Sequence, residues 1–273
     1  MFEEAHVIYR YKYLPFTEGA LKTISEGTIK FTCPGEFNDP FDCSPFYDTA
    51  NLNRIPNLFR DDAKQRGLTP AQRIQKKPEY VTRLRKRIEN GSWAEDQTKR
   101  VGVVSLSRNA LSILMWSHYA QNHQGFVLEF RIPVKGTVAD ISYATDRLLP
   151  FPVIYQPHRP VVILSQHNKE KLLHKILLTK SDLWRYEEEE RVISEDRVAG
   201  IYPYRRDEIL CSVIAGMRMA KENKDVLVAE CAKLQSSNIP SLRLYQAEPS
   251  KRQFALLVPD HPRLTQPAPI SEA

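Results

Sequence analysis

Short apolar stretches rich in β-branched and aromatic residues recur along this chain, but they do not alternate regularly with helical patterns. A doubly wound parallel sheet needs that alternation, so the order of segments predicts an α+β fold. Residues 6–13 (HVIYRYKY) read as a strand that ends at Leu14-Pro15. In the next segment Leu21 and Ile24 share one helical face before Gly27, which predicts a helix, and residues 28–32 predict a second strand. Further strands are expected within 101–107, 125–131, 191–194, 209–215 and 243–257, and helices over 110–121, 168–185 and 218–234.

Residues 48–100 differ in character. Val81, Leu84 and Ile88 keep helical spacing among Lys76, Lys77, Arg83, Arg85, Lys86 and Arg87, which predicts an amphipathic helical insertion with a basic outer face. The 273 residues therefore read as one α+β domain over 1–258 carrying that insertion, followed by a proline-rich mobile tail over 259–273. With 42% hydrophobic and 26% charged residues, disorder and fibrous architectures are excluded for most of the chain. No run approaches the ~18 apolar residues of a membrane span, and acids stand where a signal peptide carries bases, so a cytoplasmic protein without membrane association is expected. Cys33, Cys43, Cys211 and Cys231 form no CxxC pair, which predicts reduced, mostly buried thiols. The formal charge of +6 permits an anionic partner, and the basic 73–87 segment is the expected docking face for a nucleic acid or protein acceptor. A solvated helix is the plainer reading of that face, and nothing in the sequence fixes an oligomeric state.

Three segments carry candidate chemistry. Phe37-Asn-Asp-Pro-Phe-Asp42 sets two acids and an amide around Pro40, which suits a rigid turn; alternatively Asn38, Asp39 or Asp42 projects into a cleft. No metal-ligand spacing accompanies them, so no metal is predicted. Ser105-Leu-Ser107 precedes Met115-Trp-Ser-His-Tyr119, where Ser107, Trp116, His118 and Tyr119 together offer a stacking surface for a planar ring or, more simply, cap the core. In Trp184-Arg-Tyr-Glu-Glu-Glu-Glu-Arg191, an extended backbone would turn Glu187 and Glu189 to one side and Glu188 and Glu190 to the other. Two carboxylates so placed suit one that binds a sugar hydroxyl beside a cationic transition state and one that accepts a proton, although a solvated acidic helix end also explains the run.

Taken in order, these segments resemble an uncharacterised bacterial domain family of unknown function. The resemblance rests on Tyr11-Lys12-Tyr13, Phe37-Asn-Asp-Pro-Phe-Asp42, Met115-Trp-Ser-His-Tyr119 and Trp184-x-Tyr-Glu-x-Glu-x-Arg191. More weakly, the chain is similar to the ADP-ribosyltransferase superfamily, with Arg10 or Lys12 on the first strand, Ser107 and Tyr119 in the middle, and Glu187-x-Glu189 before a later strand. It departs from that pattern in having no His after the first tyrosine.

The second resemblance implies a single mixed or antiparallel sheet of ADP-ribosyltransferase type and NAD as the cofactor consumed. It implies phosphates near Arg10, Lys12 and Tyr13, and a nicotinamide ring on Tyr119 or Trp116 beside Ser107 and His118. Glu189 would then hold the ribose hydroxyl, Glu187 would orient the nucleophile, and Asn38, Asp39, Asp42 and Arg191 would bind substrate or serve structure. Two other classes compete: a non-catalytic nucleotide- or protein-binding module of a bacterial defence or toxin system, and a metal-dependent nuclease using Asp39, Asp42 and the glutamates.

Overall fold

The first strand, β1 (His6–Leu14), places Tyr9, Tyr11 and Tyr13 on one face and Ile8, Arg10 and Lys12 on the other, as period-two alternation requires. This computed structural model describes residues 6–50, 52, 56–134, 141–164 and 169–266. Helix α1 (Glu18–Ser25) is capped by Thr17, whose hydroxyl accepts from the Ala20 amide, and it stops at Gly27 with φ of 67°. Strand β2 (Thr28–Phe31) follows, then a turn over Pro34–Glu36 and the short β3 (Phe46–Tyr47).

The basic insertion is helical, as its spacing predicts: α2 (Pro56–Gln65), α3 (Pro70–Glu89) and α4 (Ser92–Thr98). A capping box between Thr69 and Gln72 starts α3. Val81, Leu84 and Trp93 pack with Val101, Val103 and Ile176, while Lys76, Arg83, Arg85 and Lys86 face outward.

Strand β4 (Gly102–Ser107) leads to α5 (Ile113–Tyr119), capped by Ser112, and then to β5 (Phe126–Val134). Next come α6 (Ile141–Asp146), β6 (Phe151–Pro152), β7 (Ile154–Gln156), β8 (Val161–Val162) and α7 (Lys169–Leu177). The helix expected over 168–185 ends at Leu177 because the chain is drawn into β9 (Thr179–Ser181), which pairs in parallel with β7. A 3₁₀ turn over Asp182–Glu187 then enters β10 (Glu189–Ser194). The remainder is β11 (Gly200–Pro203), α8 (Arg206–Ile209), β12 (Leu210–Ala215), α9 (Lys221–Ser237), β13 (Arg243–Gln246), β14 (Glu248–Pro249) and β15 (Leu256–Leu257).

Seven strands form one mixed sheet in the order β13-β12-β5-β1-β4-β10-β6, with only β12 and β13 parallel. An α+β fold with a central mixed sheet is therefore what the chain adopts. One face, with Val104, Leu106, Leu128 and Phe130, packs with Ile24 of α1 and Leu227 and Leu234 of α9. The other, with Tyr11, Tyr13, Val127 and Ile214, packs with Met115 and Trp116 of α5 and with Leu264. Gly125 is required where β5 meets β1, since a Cβ there would lie 2.2 Å from the Leu14 carbonyl oxygen. Among the described residues no helix is long and apolar enough to cross a membrane, and all four cysteines are free.

The sheet is not continuous at its middle. β1 and β5 pair at nine successive positions and β4 and β10 at six, but β1 meets β4 only at Tyr11 and Ser107. Beyond that joint, the β4 edge at Val103 bonds instead to Thr32, just past β2. The strands splay, and the Lys12 ammonium spans the gap to donate to the Ser105 carbonyl oxygen at 3.0 Å. This seam opens the candidate site.

The tail expected to be mobile is packed as far as Leu264, and 267–273 lie outside the described residues. His261 is fully buried, with Nε2 3.1 Å from Glu129, and Arg263 donates to the same carboxylate at 2.6 Å while lying over the Tyr9 ring. Ser212 and Tyr11 hydroxyls also donate to Glu129, at 2.6 and 3.1 Å. Burial alone would raise this carboxyl, but the bonds from His261, Ser212 and Arg263 outweigh it and hold Glu129 at about 2. A carboxyl depressed in the fold contributes stability above its unfolded value, near 4.3, and loses it as pH falls toward 2. Thermal melts across that window are expected to show a shallower acid destabilisation in Glu129→Gln than in the wild type. An unchanged slope would remove Glu129 as a source of the acid sensitivity.

Candidate functional site

The seam between β1 and β4 opens into a cleft of ≈ 100 Å³. It is lined by Tyr11, Lys12 and Tyr13 from β1, Ser105 and Ser107 from β4, Tyr119 from α5, Phe37, Asn38 and Asp42 from the loop before β3, and Lys180, Glu187, Glu189 and Arg191 around β10. Five elements and loops thus converge, including those that carry Lys12, Tyr119 and Glu189. Ser107 ends β4, Tyr119 ends α5 and Glu189 begins β10, and the register aligns Tyr11, Ser107 and Glu189 across three strands.

Arg191 fixes the deep wall. Its guanidinium bonds Glu189 through Nε and Nη2, both at 2.9 Å, and Asp42 through Nη1 and Nη2 at 3.0 and 2.5 Å. Nη1 also donates to the Leu177 carbonyl at 2.6 Å, and the Phe37 ring lies 5.0 Å from the guanidinium carbon. Two bidentate pairs on one cation suit arginine's planar fork. Lys180 completes the network, with Nζ 2.5 Å from Glu187, 3.1 Å from Glu189 and 3.6 Å from Asp42. Three buried carboxylates therefore share two buried cations, and Lys12 beside them brings the formal balance to zero.

The two glutamates experience opposite environments. Burial opposes the charge on Glu189, but Arg191 and Lys180 outweigh it and hold this carboxyl at about 2. Burial dominates at Glu187 and leaves it above the usual carboxylate range, although Lys180 pulls the other way. The Tyr119 hydroxyl donates to Glu187 at 2.6 Å, and burial together with that carboxylate pushes the phenol up. Carboxyls driven apart in this way are the arrangement that separates a proton-handling acid from a permanently ionised neighbour. Burial also lowers the Lys12 ammonium to about 8. The thiol of Cys43, against Arg191 and Asp42, is pushed up by burial.

Glu187 and Glu189 do face the same site, but not through an extended strand. Glu187 ends the 3₁₀ turn, and Glu188, at φ of 44°, turns the chain so that β10 starts at Glu189. Ser107 holds this corner: its hydroxyl donates to the Glu187 carbonyl at 2.6 Å. Tyr155 accepts from the Glu189 amide at 2.7 Å. Ser107 is thus a buried brace. Tyr13 lines the cleft with its hydroxyl tied to the Asn109 carbonyl, and Asn38, at the exposed lip, donates to the Tyr119 oxygen at 3.2 Å.

Several expected residues fall elsewhere. Trp116 is completely buried, edge-on to Tyr13, with its indole N–H on the Ala110 carbonyl, so it offers no ligand a face. Arg10 points away from the cleft, because Glu190 on the same face of the sheet pairs with it at 2.5 Å. Asp39 accepts from the Phe41 amide in a local turn, as the rigid-turn reading of this loop expects. His118 is exposed outside the cleft lining, where Nδ1 meets the Tyr186 hydroxyl at 3.1 Å. The open aromatic row is formed instead by His118, Tyr186 and Trp184, with successive ring centroids 5.9 Å apart. Lys180 and Tyr155 received no role from the sequence; the signal for Lys180 was its place at the head of the Trp184–Arg191 segment.

Among known proteins, residues 115–192 match the model of a protein family of unknown function, DUF2971. The match bears out the resemblance to an uncharacterised family and spans both the Met115–Tyr119 and Trp184–Arg191 motifs. No curated protein and no solved structure matches the chain.

Removing Arg191 strands Asp42 and Glu189 as buried, partly uncompensated charges, a loss of about 3–5 kcal/mol. Arg191→Leu is therefore expected to lower the melting temperature by about 6–20 °C at neutral pH, at roughly 2–4 °C per kcal/mol. A shift under about 2 °C would show that the network does not hold the cleft.

Proposed function

We propose that this chain consumes NAD and transfers its ADP-ribose to a macromolecule. The observation that carries the reading is the convergence of Lys12, Tyr119, Glu187 and Glu189 on one cleft, with the two carboxyls pushed in opposite directions. In such a reaction the bond between the ribose C1′ and the nicotinamide nitrogen breaks, its electron pair leaves with nicotinamide, and the acceptor's nucleophile bonds to C1′. Positive charge develops on the ribose, and ionised Glu189 lowers its energy electrostatically. Glu187, the weaker acid, engages the ribose hydroxyl or the nucleophile and takes up the proton released.

This division revises the roles implied by resemblance alone. Glu189 is occupied by Arg191 and Lys180, whereas Glu187 is held at the cleft by the Tyr119 hydroxyl and Lys180. The cleft volume suits one ring or sugar at a time, so the remainder of a dinucleotide lies outside it, beside the aromatic row of His118, Tyr186 and Trp184. Lys12, rather than Arg10, is the cation available to a phosphate near the seam. The outward Lys76, Arg83, Arg85 and Lys86 of α3 are the proposed docking face for a nucleic acid or protein acceptor. A nuclease reading fares worse, since both oxygens of Asp42 and both of Glu189 already accept bonds from Arg191 or Lys180 and are not free to ligate a metal ion.

Incubation with labelled NAD and cell extract is expected to label an acceptor, with the rate falling roughly 10²–10⁴-fold in Glu187→Gln, the range for loss of a general acid or base. Tyr119→Phe should retain NAD binding and lose rate. Absence of NAD binding to the wild type would sink the proposal. Binding without transfer would favour a regulatory nucleotide-binding module instead.

A further inference from the structure

Away from the cleft, a groove of ≈ 550 Å³ runs between the β14–β15 turn and the loop after β12. Its walls carry Arg218, Lys251 and Arg252, its apolar floor includes Ile113 and Met217, and no carboxylate lines it among the described residues. None of the three cations is ion-paired with an acid among the described residues, unlike Arg191 or Arg263. Phe254 stands at the groove with a relative exposure of 104%, so its ring touches essentially nothing in the chain. An unpaired basic lining beside an uncovered aromatic ring is the combination that tracks a phosphodiester backbone and stacks an unpaired base.

The groove is built on rigid backbone. Gln121, Asn122 and His123 are three successive non-glycine residues at φ of 51°, 52° and 67°, a costly run for L-residues. The run turns the chain after α5 so that the His123 carbonyl accepts from the Arg218 amide at 3.0 Å. Gly216 makes that approach possible, because a Cβ there would lie 2.2 Å from the same carbonyl oxygen. Across the groove, bonds from the Ser250 amide to the Ala255 carbonyl and from the Ala255 amide to the Gln253 carbonyl close the turn that presents Lys251, Arg252 and Phe254. Such fixed presentation lowers the ordering cost of binding.

We propose that this groove binds single-stranded nucleic acid, with phosphates against Arg218, Lys251 and Arg252 and one base stacked on Phe254. The inference does not depend on the NAD reading, since its residues lie outside the cleft. Fluorescence anisotropy with labelled dT15 and rU15 on the full chain, from about 50 to 300 mM salt, tests it. Binding is expected to weaken with salt. The double variant Lys251→Glu/Arg252→Glu should weaken it at least tenfold and flatten the log–log salt slope by about 1.4, at ~0.7 for each phosphate no longer neutralised.

Phe254→Ala is expected to cost roughly 5- to 150-fold, the equivalent of about 1–3 kcal/mol for one base–aromatic stack. All the substituted side chains are at the surface, so unchanged melting temperatures will separate loss of binding from loss of fold. A control variant at exposed cations outside the groove lining, Lys30→Glu/Lys233→Glu, should leave dT15 affinity within threefold. Absence of binding, undiminished binding in Lys251→Glu/Arg252→Glu, or tighter binding of a duplex of equal length would each overturn the proposal. Displacement of dT15 by polyglutamate together with an inert Phe254→Ala would overturn it in favour of an acidic protein segment.

Discussion

The fold around the cleft depends on one buried guanidinium. Arg191 reaches in a single side chain the loop before β3, the carboxylate at the head of β10 and the carbonyl at the end of α7. Each carboxylate alone would pay a desolvation cost of several kcal/mol, and so would the cation. Brought together with Lys180, they satisfy one another, and the segments carrying them lose the freedom to separate. The Phe37–Asp42 loop has no long strand or helix to fix it; the pairing of Asp42 with Arg191 and the packing of Phe37 and the adjoining Cys43 in an apolar cluster hold it.

That arrangement also explains how two glutamates two residues apart acquire different chemistry. Glu189 accepts bonds from both Nε and Nη2 of the Arg191 fork and gives up its basicity to it. Glu187 shares only Lys180 and a neutral phenol, and it is buried without a bidentate partner. The left-handed Glu188 lets both carboxylates reach the Lys180 ammonium while the Ser107 hydroxyl and the Arg108 amide hold the backbone of the corner.

Much of this was legible in the sequence because strand ends and turns leave clear marks. The Tyr-rich first strand, the Val101–Ser107 run and the Glu-rich entrance to β10 identified the three strands that meet at the cleft, and the helical insertion followed from the spacing of Val81, Leu84 and Ile88. Other features depend on tertiary packing that local spacing does not encode. Lys180 falls in a stretch with helical composition, and pairing of β9 with β7 takes it out of a helix. Trp116 and Tyr186 are equally aromatic, yet packing buries one and leaves the other at the lip. A signal was available for the second buried carboxylate: Glu129 interrupts the apolar run Phe126–Phe130, and a charge there demands partners. The identity of those partners, His261 and Arg263 in a proline-rich segment without periodicity, was not readable.

The single Tyr11–Ser107 joint gives the sheet a mechanical weak axis. In an ordinary sheet, widening a gap between two central strands breaks a ladder of hydrogen bonds; here the Tyr11–Ser107 pair is joined by side-chain bonds from Lys12 to Ser105, Arg10 to Glu190 and Tyr13 to Asn109, at about 1 kcal/mol net per neutral bond. The two half-sheets, each internally well paired, are therefore joined by side chains rather than by a ladder of backbone bonds. The distance between Lys12 and Glu189, which limits the size of ligand the cleft admits, is thus set by side-chain reach across that axis.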